Sequence, residues 1–141
     1  MKNTTVILVH GAFADGSSWG DVIPLLEKRG YYVIAVQNPL TSFADDVAVT
    51  RRVIEAQSEP VVLVGHSYGG AVVTAAARGA SNVRALVYIA AFGPETGENL
   101  QSLLEKYPSK IGAALVADAA GFLYIAQIKV QRSLCRRRFR A

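Results

Sequence analysis

A serine flanked by glycines is the pattern in this sequence that best fits a chemical role. Residues 65–70 read GHSYGG, which contains the spacing G-x-S-x-G around Ser67. In a sharp turn from a strand into a helix, this spacing lifts a serine hydroxyl clear of the backbone, where it can attack a carbonyl carbon. Side chains two residues before or after the serine would collide in that turn, which favours glycine at both places. The residues that support Ser67 in this motif are Gly65, His66, Gly69 and Gly70.

The segments on either side give this motif the context that it requires. The apolar run Val61–Val64 leads into it, and a stretch of small residues compatible with a helix follows it. A helix that starts at Ser67 would direct free N–H groups and the positive end of its dipole at a developing negative charge. The alternative is an ordinary glycine-rich turn that contains a serine by chance, and the flanking runs favour the nucleophile.

A second motif, HGAF at residues 10–13, follows the first apolar run directly. Hydrolases with this serine turn hold the oxyanion with two backbone N–H groups, one from the residue after the nucleophile and one from a loop after an early strand. Tyr68 occupies the first of these positions. Ala12 best fits the second, with Phe13 as the adjacent candidate and a possible substrate contact.

The first two residues of the HGAF motif have supporting roles in this prediction. Gly11 would let the loop turn sharply toward the serine. His10 is expected to brace the loop and not to act as the general base. The HGAF motif supports an oxyanion hole mainly because it follows a strand that we expect to lie beside the strand leading to Ser67.

The elements that must position these residues follow an alternating pattern. Four apolar runs without polar alternation predict parallel strands that are covered on both faces: Val6–Val9, Tyr32–Val36, Val61–Val64 and Ala85–Phe92. Stretches of helical length lie between them, with starts expected near Ser18, after Ser42 and after Ser67. Strands that alternate with helices indicate an α/β fold. After the fourth run, a helix is possible over residues 98–106, and residues 111–126 show no firm period.

Three segments resemble the N-terminal part of small esterases of the α/β-hydrolase family: VILVHGAFADGSSW, PVVLVGHSYGGAVV and VRALVYIAAFGP. The family resembled here includes plant methyl-ester esterases and hydroxynitrile lyases, and the resemblance extends over about residues 4 to 126. It implies a mostly parallel sheet of strand order 2-1-3-4 with the active site at the C-terminal ends of the strands. It also implies Ser67 as nucleophile, the N–H groups of Ala12 and Tyr68 as the oxyanion hole, and a small carboxylic ester as substrate.

The sequence departs from this family in its histidines. In the family, the triad acid and then the histidine follow the serine. The two histidines here, His10 and His66, both precede Ser67. Among the downstream acids only Glu95 is near a predicted strand end, and a solvated loop acid is the favoured interpretation. The isolated chain is therefore expected to be impaired, with a base supplied from outside it. The alternatives are a non-catalytic ligand-binding or interaction module and a hydroxynitrile-lyase-type activity.

Charge and composition divide the chain at about residue 126. The 141 residues carry a net charge of +4, but residues 127–141 contain six Lys and Arg and no acid. We interpret residues 1–126 as a truncated hydrolase core and residues 127–141 as a basic tail that is disordered or frame-shifted. A nucleic-acid role for the tail has little support, because it contains one aromatic residue and no recognisable nucleic-acid module.

The remaining features favour a soluble protein without a cofactor. No apolar run reaches the roughly 18 residues of a membrane helix, and the lone Cys135 favours the cytoplasm. The sequence contains no metal-ligand cluster and no dinucleotide fingerprint, so we expect neither a metal nor a cofactor. The fourth strand would present an open apolar edge, which favours self-association.

Overall fold

The computed structural model describes residues 4–95, 97–98 and 100–126. The chain divides into two compact units, Met1–Leu100 and Gln101–Ala141. The first unit contains, in chain order, β1 (Thr5–Val9), a 3-10 helix (Gly16–Trp19), α1 (Ile23–Glu27), β2 (Tyr32–Val36), α2 (Phe43–Glu55), β3 (Val61–His66), α3 (Tyr68–Ala76) and β4 (Val83–Ile89).

The four strands form one parallel sheet in the order β2-β1-β3-β4. This confirms the expected α/β fold and its strand order. Val9 pairs with Val36 on one side and with Gly65 on the other, and Gly65 pairs in turn with Tyr88. The C-terminal ends of the strands therefore meet at one edge, and the chain changes direction across the sheet between β1 and β3. That switch point is where ligands bind in open α/β sheets.

Side chains of β1 pack on both faces of the sheet. Ile7 and Val9 belong to a core cluster that includes Ile54 of α2. Leu8 belongs to a second cluster that contains Trp19. Each fully buried side chain of this size contributes about 1.5–3 kcal/mol to stability. Burial on both faces explains why the first apolar run does not alternate with polar residues.

The last strand of this sheet is less covered than its sequence suggested. Val87, Tyr88 and Ile89 are 41%, 42% and 44% exposed, and within the described residues β4 pairs only with β3. The expected coverage on both faces is therefore wrong for β4. The strand also ends at Ile89, because Ala90 takes a φ of 43°. Self-association through this strand stays a prediction.

Two of the expected helix starts agree with the structure and one does not. Ser42 caps α2 by accepting a 3.1 Å hydrogen bond from the N–H of Asp45, and α3 begins directly after Ser67. The first helical segment is capped by Asp15, whose carboxylate accepts from the N–H of Ser17 at 2.7 Å. The start near Ser18 is therefore wrong, since Asp15 satisfies the free N–H group three residues earlier than expected.

The segment after β4 contains α4 (Leu100–Lys106), a second 3-10 helix (Lys110–Ala114) and the antiparallel strands β5 (Leu115–Ala117) and β6 (Leu123–Ile125). The turn between these strands is closed by Asp118, which accepts from the N–H groups of Ala120 and Phe122 at 2.9 Å each. The sequence indicated a helix over 98–106 but no hairpin, because strands of three residues are too short to establish a period. The basic segment 127–141 lies outside the described residues. None of the helices in the described part is long and apolar enough to cross a membrane.

Candidate active site

The backbone reverses sharply at Ser67, between β3 and α3. Ser67 has φ 52° and ψ −122°, a region that costs a non-glycine residue about 1–3 kcal/mol. Hydrogen bonds from both sides hold this conformation. The N–H of Ser67 donates to the carbonyl of Ile89 at 3.3 Å, and its carbonyl accepts from the N–H groups of Gly70 and Phe92 at 3.0 Å each. The serine is thus fixed by both α3 and the segment after β4.

Gly65 and Gly69 are required for two different reasons. A β-carbon on Gly65 would lie 2.6 Å from both the carbonyl oxygen of Gly69 and the nitrogen of Gly70, so the turn itself excludes a side chain there. A β-carbon on Gly69 would instead meet the carbonyl oxygen of Val9 and lie 2.7 Å from that of His10. The expected collision within the turn therefore applies to Gly65, whereas Gly69 lets α3 lie against the end of β1.

Gly70 has a third packing environment, on the other side of the helix. A β-carbon there would meet the carbonyl oxygen of Phe92 and lie 2.7 Å from the β-carbon of Ala91. The start of α3 is thus enclosed between the end of β1 and the segment that follows β4. This enclosure fixes the direction in which the helix N-terminus points.

The loop after β1 packs against the serine turn. A β-carbon on Gly11 would lie 3.2 Å from the Cβ of Ser67 and 3.3 Å from Nδ1 of His66. The structure therefore brings the two sequence motifs together. Ala12 is partly exposed and Phe13 is exposed. This side of the loop is open to a ligand.

Several backbone N–H groups in this region, including those of Gly11 and Gly69, have no hydrogen-bond acceptor among the described residues. Within residues 4–95, 97–98 and 100–126, those of Ala12, Phe13 and Tyr68 donate no hydrogen bond. An N–H group without a partner beside an accessible serine is available to a ligand oxygen. Tyr68 is also the first residue of α3, where the helix dipole favours negative charge.

His10 is buried, and both of its ring nitrogens have backbone partners. Nε2 accepts from the N–H of Asn38 at 3.0 Å, and Nδ1 is 2.9 Å from the carbonyl oxygen of Gly11. Because Nε2 is the acceptor, Nδ1 carries the proton and donates to Gly11. Neither nitrogen is free to take a proton from Ser67. The geometry is that of a brace between two loops.

His66 and Glu95 also lie apart from any triad. The ring of His66 meets that of Trp19 edge to face, with centroids 6.4 Å apart. Glu95 is exposed in the loop after β4, where its N–H donates to Glu98 at 3.0 Å. In the described part of the chain, no histidine or carboxylate is hydrogen-bonded to the Ser67 hydroxyl. The same residues contain no group of three His, Cys, Asp or Glu side chains that could hold a metal ion.

One polar contact at the site was not expected from the sequence. The hydroxyl of Tyr68 donates to Oδ2 of Asp46 at 2.6 Å, and Oδ1 of the same buried carboxylate accepts from the N–H of Leu40 at 2.9 Å. Burial, followed by the hydrogen bond and charge of Asp46, raises the pKa of Tyr68 well above its usual range. No local signal identifies this pair, since the two residues are 22 positions apart.

Comparison with known proteins shows which family this chain is similar to. Residues 6–140 match the model of the alpha/beta hydrolase family. The carbendazim hydrolyzing esterase of Nocardioides sp. (strain SG-4G) is 36% identical over 124 residues, which cover 78% of this chain and 51% of the esterase. Salicylic acid-binding protein 2 of Nicotiana tabacum is 33% identical over 121 residues, which cover 76% of this chain and 46% of that protein. The chain thus spans about half the length of the curated relatives that it matches.

A solved structure shares the fold. A pyrethroid hydrolase from Sphingobium faniae JZ-2 superposes with a TM-score of 0.75 at 23% sequence identity, over 92% of this chain and 59% of that one. At this identity the likeness concerns the fold alone. It agrees with the sheet order and the flanking helices described above.

Proposed function

Because the chain belongs to the alpha/beta hydrolase family, we propose that it forms the nucleophile and oxyanion part of a serine hydrolase that cleaves small carboxylic esters. The observation that carries this proposal is the backbone at Ser67. A positive φ of 52° at a serine, with a glycine loop packed against its Cβ, is costly and is retained at functional sites. The esterase-like relatives favour an ester as the substrate class.

The proposed chemistry begins at the Ser67 oxygen. That oxygen attacks the carbonyl carbon of the ester, and the carbonyl oxygen becomes negatively charged as its double bond opens. The N–H groups of Ala12 and Tyr68 donate to this oxyanion, and each such donor is worth about 10²- to 10³-fold in rate. The intermediate then collapses and the alcohol leaves with a proton. Water attacks the acyl-serine in the second half-reaction, which releases the carboxylic acid and restores Ser67.

The sequence contains no histidine after Ser67, and neither of the two earlier histidines is placed to act as its general base. His10 has backbone partners on both ring nitrogens, and the ring of His66 packs on Trp19. We therefore propose that a histidine outside these residues takes the serine proton. Without it, the loss in rate is about 10⁶-fold, while the oxyanion donors and substrate binding retain about 10³-fold over water. The isolated 141-residue chain is accordingly impaired.

Phe13 is the residue that we propose to contact the substrate. It adjoins the oxyanion donor Ala12 and is 44% exposed. An exposed aromatic ring beside the reacting carbonyl offers apolar area to the acyl or alcohol group of a small ester. We expect Phe13→Ala to raise KM for p-nitrophenyl butyrate more than for p-nitrophenyl acetate, because the longer acyl chain has more apolar area to bury.

Covalent labelling tests the proposed nucleophile. A fluorophosphonate probe is expected to modify Ser67, as located by peptide mass spectrometry, and the Ser67→Ala variant is expected to stay unmodified. Ser81→Ala is a matched control, since Ser81 is an exposed residue in the turn before β4. Absence of labelling in the folded chain, with or without added imidazole as an external base, would reject the proposal.

A second candidate function is a non-catalytic ligand-binding module of the same fold. The observation that favours it is that, in the described residues, neither histidine is hydrogen-bonded to Ser67. Calorimetric titration with a small ester distinguishes the two functions. Saturable heat of binding with no product would support the module, whereas turnover that disappears in Ser67→Ala would reject it.

A further inference from the structure

Hydrogen bonds connect both segments that carry the proposed oxyanion donors to one short stretch of backbone. This stretch, Asn38–Leu40, follows β2 at the C-terminal edge of the sheet. Toward β1, the N–H of Asn38 donates to His10, and His10 donates to the carbonyl of Gly11, next to Ala12. These hydrogen bonds are 3.0 and 2.9 Å long. The backbone beside Ala12 is thus linked to Asn38 by the buried side chain of His10.

The same stretch reaches the second donor through a different side chain. The N–H of Leu40 donates to Asp46 at 2.9 Å, and the other carboxylate oxygen of Asp46 accepts from the hydroxyl of Tyr68 at 2.6 Å. Asp46 lies in the first turn of α2 and is 1% exposed. A buried carboxylate with two hydrogen bonds is costly to disturb, because a lost partner leaves charge without solvation. The ring of Tyr68 is therefore tethered at its far end.

The conformation of the stretch itself is strained. Leu40 has a φ of 57°, a value that a leucine rarely adopts. Such a conformation persists only where its surroundings determine it, and the hydrogen bond from the N–H of Leu40 to Asp46 is one such constraint. Strain of this kind is common beside functional sites.

We propose that Asn38–Leu40, acting through His10 and Asp46, sets the distance between the N–H groups of Ala12 and Tyr68. His10 and Asp46 are then positioning residues, since neither touches the reacting atoms. This inference rests on the proposed function and names the residues that preorganise its oxyanion hole. A donor displaced by a fraction of an ångström loses most of its advantage in the transition state.

The rate at which a probe labels Ser67 tests the hydrogen bond between Tyr68 and Asp46. Tyr68→Phe removes only the tyrosine hydroxyl. Asp46→Asn replaces the carboxylate, whose two oxygens each accept a hydrogen bond, by an amide with a single accepting oxygen. Each variant is expected to lower the maximal rate of fluorophosphonate labelling about tenfold, with the half-saturating probe concentration within about twofold of wild type. The double variant is expected to be no slower than either single variant, because both break the same link.

Two control variants match these changes. Tyr88→Phe removes another tyrosine hydroxyl, one paired with Thr74 at 2.7 Å. Thr50→Val alters a buried side chain one turn further along α2, where the hydroxyl has no partner among the described residues. Both controls are expected to be labelled at the wild-type rate. Equal rates in all four variants and wild type would overturn the proposal.

A structural measurement keeps the two proposals separable. If the wild-type chain is not labelled at all, the proposed nucleophile fails, and the tether is judged from ¹⁵N–¹H spectra. Asp46→Asn is expected to shift the amide resonances of Gly11 and Ala12, although these residues are connected to Asn38–Leu40 through His10 and not through Asp46. Thr50→Val is expected to leave both resonances in place. Unshifted Gly11 and Ala12 resonances in a folded Asp46→Asn variant would show that Asn38–Leu40 does not couple the two donors.

Discussion

Gly11 faces Ser67 so closely that a β-carbon on Gly11 would lie 3.2 Å from the β-carbon of the serine. The same atom would lie 3.3 Å from Nδ1 of His66. The loop after β1 can therefore accept a side chain there only if it moves by a few tenths of an ångström from the serine turn. This contact limits how closely the loop after β1 can approach the serine turn.

The first prediction concerns this contact. Gly11→Ala is expected to push the loop away by a few tenths of an ångström, which lowers the rate of Ser67 labelling about tenfold and the free energy of unfolding by about 1 kcal/mol. Labelling kinetics and urea denaturation measure the two effects. Gly112→Ala is the matched control, since a β-carbon there meets no atom within 4 Å. Wild-type labelling by Gly11→Ala would contradict the assigned role of the loop.

The second prediction concerns the turn itself. Gly65→Ala places a β-carbon 2.6 Å from two backbone atoms that cannot move aside without unwinding the start of α3. We expect it to lower the free energy of unfolding by about 3 kcal/mol, at the upper end of overpacking effects. Urea denaturation followed by circular dichroism measures the change. A loss no larger than that of Gly112→Ala would show that the turn has room for a side chain at position 65.

The third prediction separates stability from reactivity at the nucleophile. Ser67→Gly relieves the positive φ of 52°, which costs a non-glycine residue about 1–3 kcal/mol. The greater backbone entropy of glycine in the unfolded chain offsets about 0.5–1 kcal/mol of this gain. The variant is expected to be about 1 kcal/mol more stable than wild type and to lose all labelling.

Two further variants control this experiment. Ser67→Ala keeps the strain and is expected to have the stability of wild type. Ser81→Gly replaces an exposed serine in a turn without a positive φ, and no gain is expected. A destabilised Ser67→Gly would argue against strain at the serine.

The fourth prediction follows from the raised pKa of Tyr68, caused first by burial and then by Asp46. A raised pKa means that the folded state favours the neutral phenol. The resulting stability is complete below the ordinary tyrosine pKa of about 10 and is lost as the pH rises above it. Wild type is therefore expected to lose stability more steeply above about pH 10 than Tyr68→Phe does. Urea denaturation across the alkaline range measures both slopes. Parallel slopes for wild type and Tyr68→Phe would contradict the contact between Tyr68 and Asp46.

The motifs could be found in the sequence because each depends on local geometry. Gly65 is close to Gly69 and Gly70 along the chain, so its collision with their backbone follows from the turn alone. The Ser42 cap of α2 involves residues three apart and was equally accessible. The strand order, by contrast, was inferred from a family resemblance. The two-faced burial of β1 and the exposure of β4 depend on which elements cover each strand.

The sequence by itself determined the α/β pattern, the serine turn, and the absence of a downstream histidine from residues 67–141. These depend on residue identity and on spacings of a few positions. Only the tertiary structure decided that Gly69 packs on β1, that both nitrogens of His10 are occupied, and that Asp46 tethers Tyr68. Those contacts join residues that are distant along the chain. Their partners are chosen by how the parallel strands and helices pack, and no local pattern encodes that choice.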